Sequence, residues 1–253
     1  MFTKAIVKTP CKNMLNGITT AGLGKPDYNL ALKQHKDYIH ALKKCGLKVI
    51  VLDSDENFPD STFVEDACLI TPRCAIITNP GAESRKGETI RISKTIKELD
   101  LPVENIQSPG TLDAGDIMMV KDHYFAGLSD RTNYEGASQL NRILEKYGYT
   151  SSTIALKNVL HLKTGVSYLE NNNLLAFGEF LDHPSFSSFN ILAVDPDEFY
   201  AANSVWINGN VLVPMGFFKT IKMIKAAGYQ TIEVDVSEFR KLDGGLSCLS
   251  LRF

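Results

Sequence analysis

Cysteine and histidine are the two side chains in this sequence best equipped for covalent chemistry near neutral pH, and there are five of each. The cysteines are Cys11, Cys45, Cys68, Cys74 and Cys248, an odd number without a C-x-x-C pair. That pattern argues against a disulfide framework or a zinc ribbon and leaves room for one chemically active thiol. His161 has no partner at metal-ligand spacing, so no metal or other cofactor is expected. Each residue also has a plainer reading. Cys45 falls on a helix seam, and Cys68 and Cys74 fall in strands, where a cysteine is a small core residue. Cys248 reads the same way in isolation, three residues into an apolar strand, and His161 as a satisfied strand histidine. His35 and His40 lie on a helix face, His123 at a turn and His183 in a loop before Pro184. Cys11 lies in an aperiodic segment and is expected to be exposed. Single residues do not decide the chemistry; their placement does.

The elements that place them repeat. Residues 27–46 form an amphipathic helix with Asp27 as N-cap and Gly46 as terminator, and LKVIVLD follows as a buried strand. TNYEGASQLNRILEKYG repeats the arrangement, with a Thr132-x-x-Glu135 capping box and Gly148 at the end. FFKTIKMIKAAG with QTIEVDV is another copy, and ETIRISKTIKEL is one without the glycine. Each copy leads into a small or polar residue that heads a hairpin-like stretch. Asp66, Asp116, Gly165, Asn203 and Cys248 mark these heads, with steps of 50, 49, 38 and 45 residues. A period near 45 is a repeat signature.

The fifth head, at Cys248, runs out after one strand. KAIVK at the N-terminus and the first helix can supply the rest, so the two ends are expected to share one unit and close a ring of five, which removes open sheet edges. Ring closure would turn the strand heads toward one central cavity and bring together residues far apart in sequence, such as Asp66, Asp113, His161 and Cys248. Residues 10–26, PCKNMLNGITTAGLGKP, fit no unit and read as a lid loop. The chain is expected to be a single α/β domain spanning 1–253.

Composition narrows the partners. The net charge is −2 and 44% of residues are apolar. Nothing in that balance calls for nucleic acid or an anionic membrane. No apolar run approaches the ~20 residues of a membrane helix, and MFTKAIVKTP lacks a signal-peptide core. A cytoplasmic protein is expected, and a homodimer is compatible with these features.

Several motifs occur in order: FPDSTFVED (58–66), GAESRKGET (81–89), GTLDAGDIMMV (110–120), GLSDRTN (127–133), VLHLKTG (159–165), AAN (201–203) and KLDGGLSCLSLRF (241–253). Over nearly its full length the chain resembles the bacterial dimethylarginine dimethylaminohydrolases, of the guanidine-modifying (pentein) superfamily. That resemblance implies a five-bladed α/β propeller. It implies a hydrolase that converts N-omega-methylated arginine and water to citrulline and dimethylamine or methylamine. Carried onto this sequence, Cys248 would attack the guanidinium carbon and His161 would handle protons. Asp66 and Asp113 would hold the guanidinium. Asp60, Arg85 and Arg131 would hold the amino-acid end from loop rims, with Ile18, Leu242 and Asp243 completing the substrate-binding set. Asp113 stands where many bacterial relatives have Glu, which keeps the charge and shortens the reach. Ile18 stands where relatives often have Leu.

The residue types suit such a reaction. A substituted guanidinium is a poor electrophile and needs a strong nucleophile, which a cysteine thiolate is. A free thiol titrates at roughly 8.5, and a bound cation favours its anion. One imidazole can protonate the departing amine and then deprotonate water. Paired carboxylates match the outer N–H edges of a guanidinium. Sister activities, arginine deiminase and amidinotransferase, would use a similar set. A non-catalytic amino-acid sensor would have no need of Cys248 and His161 together. Asp116 follows a glycine and reads as a brace for backbone, and Glu65 should point away from Asp66 by alternation.

Overall fold

The computed structural model describes residues 1–253. Its strands form five three-stranded sheets of one pattern. In every sheet the first strand runs antiparallel to the middle one, and the third runs parallel to it. A parallel return needs a crossover, and helices fill that role in four sheets. The fold class is the expected one, an α/β propeller of five repeated units.

The chain divides into two units, one of Met1–Phe63 with Gly165–Phe253 and one of Val64–Thr164. The first holds three sheets. One joins β1 (Lys4–Lys8) to β2 (Lys48–Leu52) and to β15 (Leu251–Arg252), with α1 (Tyr28–Lys44) as the crossover. β15 registers against β1 through Ala5↔Arg252 and Ile6↔Leu251, so the ends of the chain share a sheet as expected. Another contains β9 (Val166–Tyr168), β10 (Asn173–Ala176) and β11 (Asn190–Ala193); the third contains β12 (Val205–Ile207), β13 (Asn210–Pro214) and β14 (Gln230–Val234). The crossover from β13 to β14 is α5 (Phe218–Ala226), whereas β10 reaches β11 through two 3-10 turns, Gly178–Phe180 and Pro184–Phe186. That missing helix explains the short step of 38 residues between Gly165 and Asn203.

The second unit holds two sheets: β3 (Cys68–Ile70), β4 (Ala75–Ile77) and β5 (Val103–Asn105), then β6 (Ile117–Val120), β7 (His123–Leu128) and β8 (Thr150–Ala155). The crossovers are α2 (Glu88–Ile96) and α3 (Tyr134–Lys146). A one-turn helix, α4 (Leu162–Gly165), follows His161, and α6 (Ser237–Arg240) precedes the last motif.

Helix boundaries follow from local chemistry. Asp27 caps α1 by accepting the Leu30 N–H at 3.0 Å. The buried face of α1 is Ala31, Gln34, His35, Tyr38, Ala41 and Leu42. Gly46 ends it with φ +87°, a conformation that costs other residues energy. The cap of α3 differs from expectation. Asn133, not Thr132, is the N-cap and accepts the Gly136 N–H at 2.8 Å, because the Thr132 hydroxyl is spent on Asp116. The core of the first unit gathers Tyr38, Leu42, Phe63, Phe239, Leu246 and Leu249; that of the second gathers Ile76, Leu112, Tyr124, Leu140 and Leu144. No helix is long and apolar enough to cross a membrane.

Residues 10–26 are less loop-like than expected. Lys12–Asn16 form a 3-10 helix, and Met14 and Cys11 are buried, so the expected exposure of Cys11 is corrected. The N–H groups of Lys12 and Asn13 are taken by the Glu56 carboxylate, at 3.0 and 2.9 Å. Lys12, Leu15, Asn16 and residues 18–20 are exposed, and the longest exposed run is 22–25, with Gly22 and Gly24 in the left-handed region.

Candidate active site

The second unit gathers a buried charge cluster. Asp66 sits in a 3-10 turn, Val64–Ala67, just before β3. Its Oδ1 accepts the Gly115 N–H at 3.0 Å, and its Oδ2 accepts Arg85 Nη1–H at 2.6 Å. Gly115 has to be glycine. An added Cβ would stand 2.7 Å from Asp66 Oδ1 and 3.1 Å from the His161 ring. Burial works against the Asp66 anion, but the Arg85 and His161 charges prevail and hold its carboxyl below the usual range.

Arg85 is buried, contrary to its expected place at a loop rim. Its Nε and Nη2 donate to the Glu88 carboxylate, with Nη2 to Oε2 at 2.9 Å. Glu88 opens α2 three residues on, and that local pairing draws the guanidinium inward. Burial disfavours the cation, yet Glu88 and Asp66 raise its proton affinity above the ordinary arginine level. Arg131 is less enclosed, with its side chain 17% accessible and Nη1 3.9 Å from Asp113 Oδ2.

Asp113 is fully buried. Its Oδ1 accepts the Gly81 N–H at 2.9 Å, while its Oδ2 has no hydrogen-bond partner. Burial first, and then the Asp66 charge, push this carboxyl up to about 6. Such an oxygen is costly unless something cationic or N–H-bearing meets it.

His161 immediately precedes α4. Its Nε2 lies 3.9 Å from Asp113 Oδ2, and its Nδ1 lies 3.3 Å from Asp116 Oδ2 without an aligned N–H bond. Burial opposes the imidazolium, but Asp116, Asp66 and Asp113 outweigh it and raise the group to about 9. His161 is therefore protonated at neutral pH in this environment. Donor atoms of Asp66, Asp113 and His161 lie within 4.8 Å of one another, a cluster with net appetite for a cation.

The first unit holds the thiol. Cys248 lies in a 3-10 turn, Ser247–Leu249, that ends before β15, so it is not inside a strand as the sequence suggested. It is the only half-buried cysteine; the other four are buried. Burial pushes Cys45 up to about 11 and Cys68 higher still, so those thiols are inert. The Gly245 N–H donates to Cys248 Sγ at 3.4 Å. Asn203 braces this turn from both sides. Its side-chain N–H donates to Ser247 Oγ, and its Oδ1 accepts the Ser247 N–H, both at 3.0 Å.

The remaining expected binding residues of this unit also meet. Asp60 accepts the Ile18 N–H at 3.0 Å. Asp243, with φ +57°, accepts the Thr20 N–H at 2.6 Å. Thr19 donates to the Lys241 carbonyl beside the buried Leu242. Glu65 is buried and paired with Lys163 Nζ at 2.6 Å. The brace role read for Asp116 holds, since it accepts the Leu162 N–H at 3.0 Å. Sequence reading missed its proximity to the imidazole and missed Asn203 as a brace. The signal was present in both cases, a polar residue heading a repeat unit.

These arrangements have known counterparts. A family model described as N,N dimethylarginine dimethylhydrolase, eukaryotic, matches residues 24–180. The chain is 54% identical over 254 residues to N(G),N(G)-dimethylarginine dimethylaminohydrolase of Pseudomonas aeruginosa, covering 100% of each. A solved structure of that bacterium's enzyme, a cysteine-to-serine variant complexed with citrulline, superposes with a TM-score of 0.99 and 54% identity over 100% of each chain. A solved dimethylarginine dimethylaminohydrolase with a histidine-to-glycine change, present as an adduct with S-methyl-L-thiocitrulline, superposes at 0.98 with 54% identity over 100% of each chain.

Proposed function

Because the chain belongs to the dimethylarginine dimethylaminohydrolase family, we propose that it hydrolyses asymmetric dimethylarginine and monomethylarginine to citrulline, releasing dimethylamine or methylamine. It is a hydrolase of the dimethylargininase kind, acting on a C–N bond of an amidino group. The observation that carries the substrate reading is Asp113 Oδ2, a buried carboxylate oxygen without a hydrogen-bond partner in a cluster with Asp66 and His161. A guanidinium supplies both the charge and the N–H donors such an oxygen requires.

In this reading Cys248 Sγ attacks the guanidinium carbon. The bound cation favours the thiolate, and the Gly245 N–H supports it. His161, protonated at neutral pH, gives its proton to the departing amine, leaving a thiouronium on Cys248. The imidazole, now neutral, takes a proton from water; the hydroxide adds to the same carbon, the C–S bond breaks to return the thiolate, and the added hydroxyl gives its proton to solvent as neutral citrulline leaves. Asp66 and Asp113 hold the guanidinium edges. Arg131 and Arg85 take the α-carboxylate, and Asp60 the amino group, with Ile18, Leu242 and Asp243 around it. The reading needs Cys248 and His161 to reach one substrate, and so takes residues 1–253 as one catalytic domain. Five cysteines outside any disulfide suit the reducing cytoplasm.

The test is citrulline formation from dimethyl-, monomethyl- and unmethylated arginine, with rapid acid quench and mass spectrometry of the Cys248 peptide. Turnover of the methylated substrates with an adduct on Cys248 is expected. Preference for arginine itself, or an adduct on another cysteine, defeats the proposal.

A further inference from the structure

Asp116 collects four polar neighbours, the Leu162 N–H, Ser129, Thr132 and His161, yet the reaction has no direct use for it. It is fully buried. Its Oδ1 accepts the N–H of Leu162, the residue after the histidine, at 3.0 Å. Its Oδ2 accepts two hydroxyls, Ser129 Oγ–H at 2.7 Å and Thr132 Oγ1–H at 2.6 Å, and stands 3.3 Å from His161 Nδ1. Each hydroxyl has one proton, and both are committed to this carboxylate. Their oxygens are then free to accept from backbone, and both do. Ser129 Oγ accepts the N–H groups of Arg131 at 3.0 Å and Thr132 at 3.1 Å. Thr132 Oγ1 accepts the Asp113 N–H at 3.1 Å.

One carboxylate thus reaches the imidazole, the backbone on which it is mounted, the turn that carries Arg131 and the backbone of Asp113. We propose that Asp116 is a positioning residue that keeps the proton on the Nδ1 side of His161, so that Nε2 serves the reaction, and that couples this proton to the Arg131 turn through Ser129 and Thr132. This rests on the roles proposed above for His161 and Arg131.

Other charges face the imidazole: Asp66 from the turn before β3, Asp113 from the turn before β6, and Arg85 against Asp66. Asp116 is the strongest of the acidic influences on it, though burial is larger and opposite in sign. Its removal should therefore lower the proton affinity of His161 without abolishing the other contributions. The two hydroxyls act oppositely, since they disperse the charge of the carboxylate they donate to. Thr132→Val keeps shape, deletes one such donor and frees more charge for the imidazole. It also loosens the Arg131 turn.

These opposed signs make the test. The five histidines are labelled and titrated by NMR in the substrate-free protein, with His161→Gln to assign the resonance, and kcat and KM are measured across pH. In Asp116→Asn the His161 titration should fall by about one unit or more, the pH limb of kcat should move with it, and Asp116→Glu should restore part of the shift. In Thr132→Val the titration should stay or rise while KM increases at least severalfold. A brace with no electrostatic part would lower the melting temperature and scale rates evenly at all pH values. An unmoved His161 titration in folded Asp116→Asn overturns the proposal. If Asp116→Asn does not fold, Thr132→Val decides: a titration that falls, or an unchanged KM, overturns it. The titration needs no turnover, so a protein that makes no citrulline sinks the functional reading, while the Asp116→Asn titration still decides the hold of Asp116 on His161.

Discussion

Arg85 and Arg131 carry the same charge and the same proposed duty, yet their surroundings separate them. Arg131 is partly accessible and only loosely near Asp113. Its loss in Arg131→Ala should weaken substrate binding by on the order of 2 kcal/mol, about thirtyfold in kcat/KM, with the fold intact. Arg85 is buried between Glu88 and Asp66, so Arg85→Ala leaves two buried carboxylates uncompensated. It should lose stability as well, by roughly 3–5 kcal/mol. Wild-type kinetics in both variants would remove them from the substrate's path, and a normal denaturation midpoint in Arg85→Ala would refute the structural part. Asp113→Asn should retain the fold and lose most activity, because an amide presents donors to a guanidinium that also donates; near-normal turnover would make Asp113 structural. A different residue governs acid stability. His35 is buried in α1 with Nε2 unpartnered, and burial lowers it to about 4. The unfolded chain therefore binds a proton there that the folded chain refuses. Stability from this residue is complete above about pH 6.5 and is lost as pH falls toward 4, by on the order of 3 kcal/mol. Asp113 has the opposite slope between its ordinary range and about 6, since the folded state keeps its proton there. His35→Leu should flatten the acid limb in urea titrations at pH 7 and 4.5; an unchanged limb would show that the imidazole is not the sensor.

Site residues cluster on short turns at the heads of first strands. Asp66 lies in the turn before β3, Asp116 in that before β6, His161 directly before α4 and Cys248 in the turn before β15. The sequence shows these heads as polar or small residues at a recurring step, and the helices between as clear periodic stretches. The turns themselves have three or four residues, too few for any periodicity, so their geometry was not legible. Cys248 consequently reads as a strand residue until its turn is seen. The same limit hid the Thr132 hydroxyl, which a capping-box pattern claims for α3 but a carboxylate sixteen residues upstream holds. Long-range polar contacts of this kind have no signature in a single sequence. The 10–26 segment shows the reverse error, in which Gly- and Asn-rich composition suggested a wholly loose loop. Met14 is buried, Glu56 takes two N–H groups and Asp60 takes that of Ile18. Mobility should be confined to residues 22–25. Hydrogen exchange should find the Ile18 amide protected and residues 22–25 unprotected without ligand, with protection rising when citrulline is added. Equal exchange across 12–25, or no response to ligand, would end the lid idea.

At the scale of the whole chain, the C-terminal strand is where fold and chemistry share a support. β15 has two residues and is the first strand of a sheet whose middle strand is β1. The Phe253 carbonyl accepts the N–H groups of Thr3 and Lys4, both at 2.8 Å, and the Phe253 N–H donates to the Lys4 carbonyl at 3.0 Å. Leu251 is buried. Arg252 returns its guanidinium to the carbonyls of Ser247 and Ser250, at 3.1 and 2.9 Å, and so holds the turn that bears Cys248. Removing Leu251–Phe253 should therefore act twice. It deletes several backbone bonds worth about 1 kcal/mol each and the burial of one leucine worth about 2 kcal/mol. For a chain of this size that is a drop in melting temperature of roughly 10 °C or more. It also frees the turn holding the nucleophile, so activity should fall well beyond the fraction unfolded. The two effects separate with Arg252→Ala, which spares β15 and its backbone bonds. That variant should melt close to the wild type yet react more slowly with an alkylating probe aimed at the Cys248 thiol and turn over less substrate. Equal thiol reactivity and full turnover in Arg252→Ala would mean that Asn203 alone steadies the Cys248 turn and that β15 serves only the sheet.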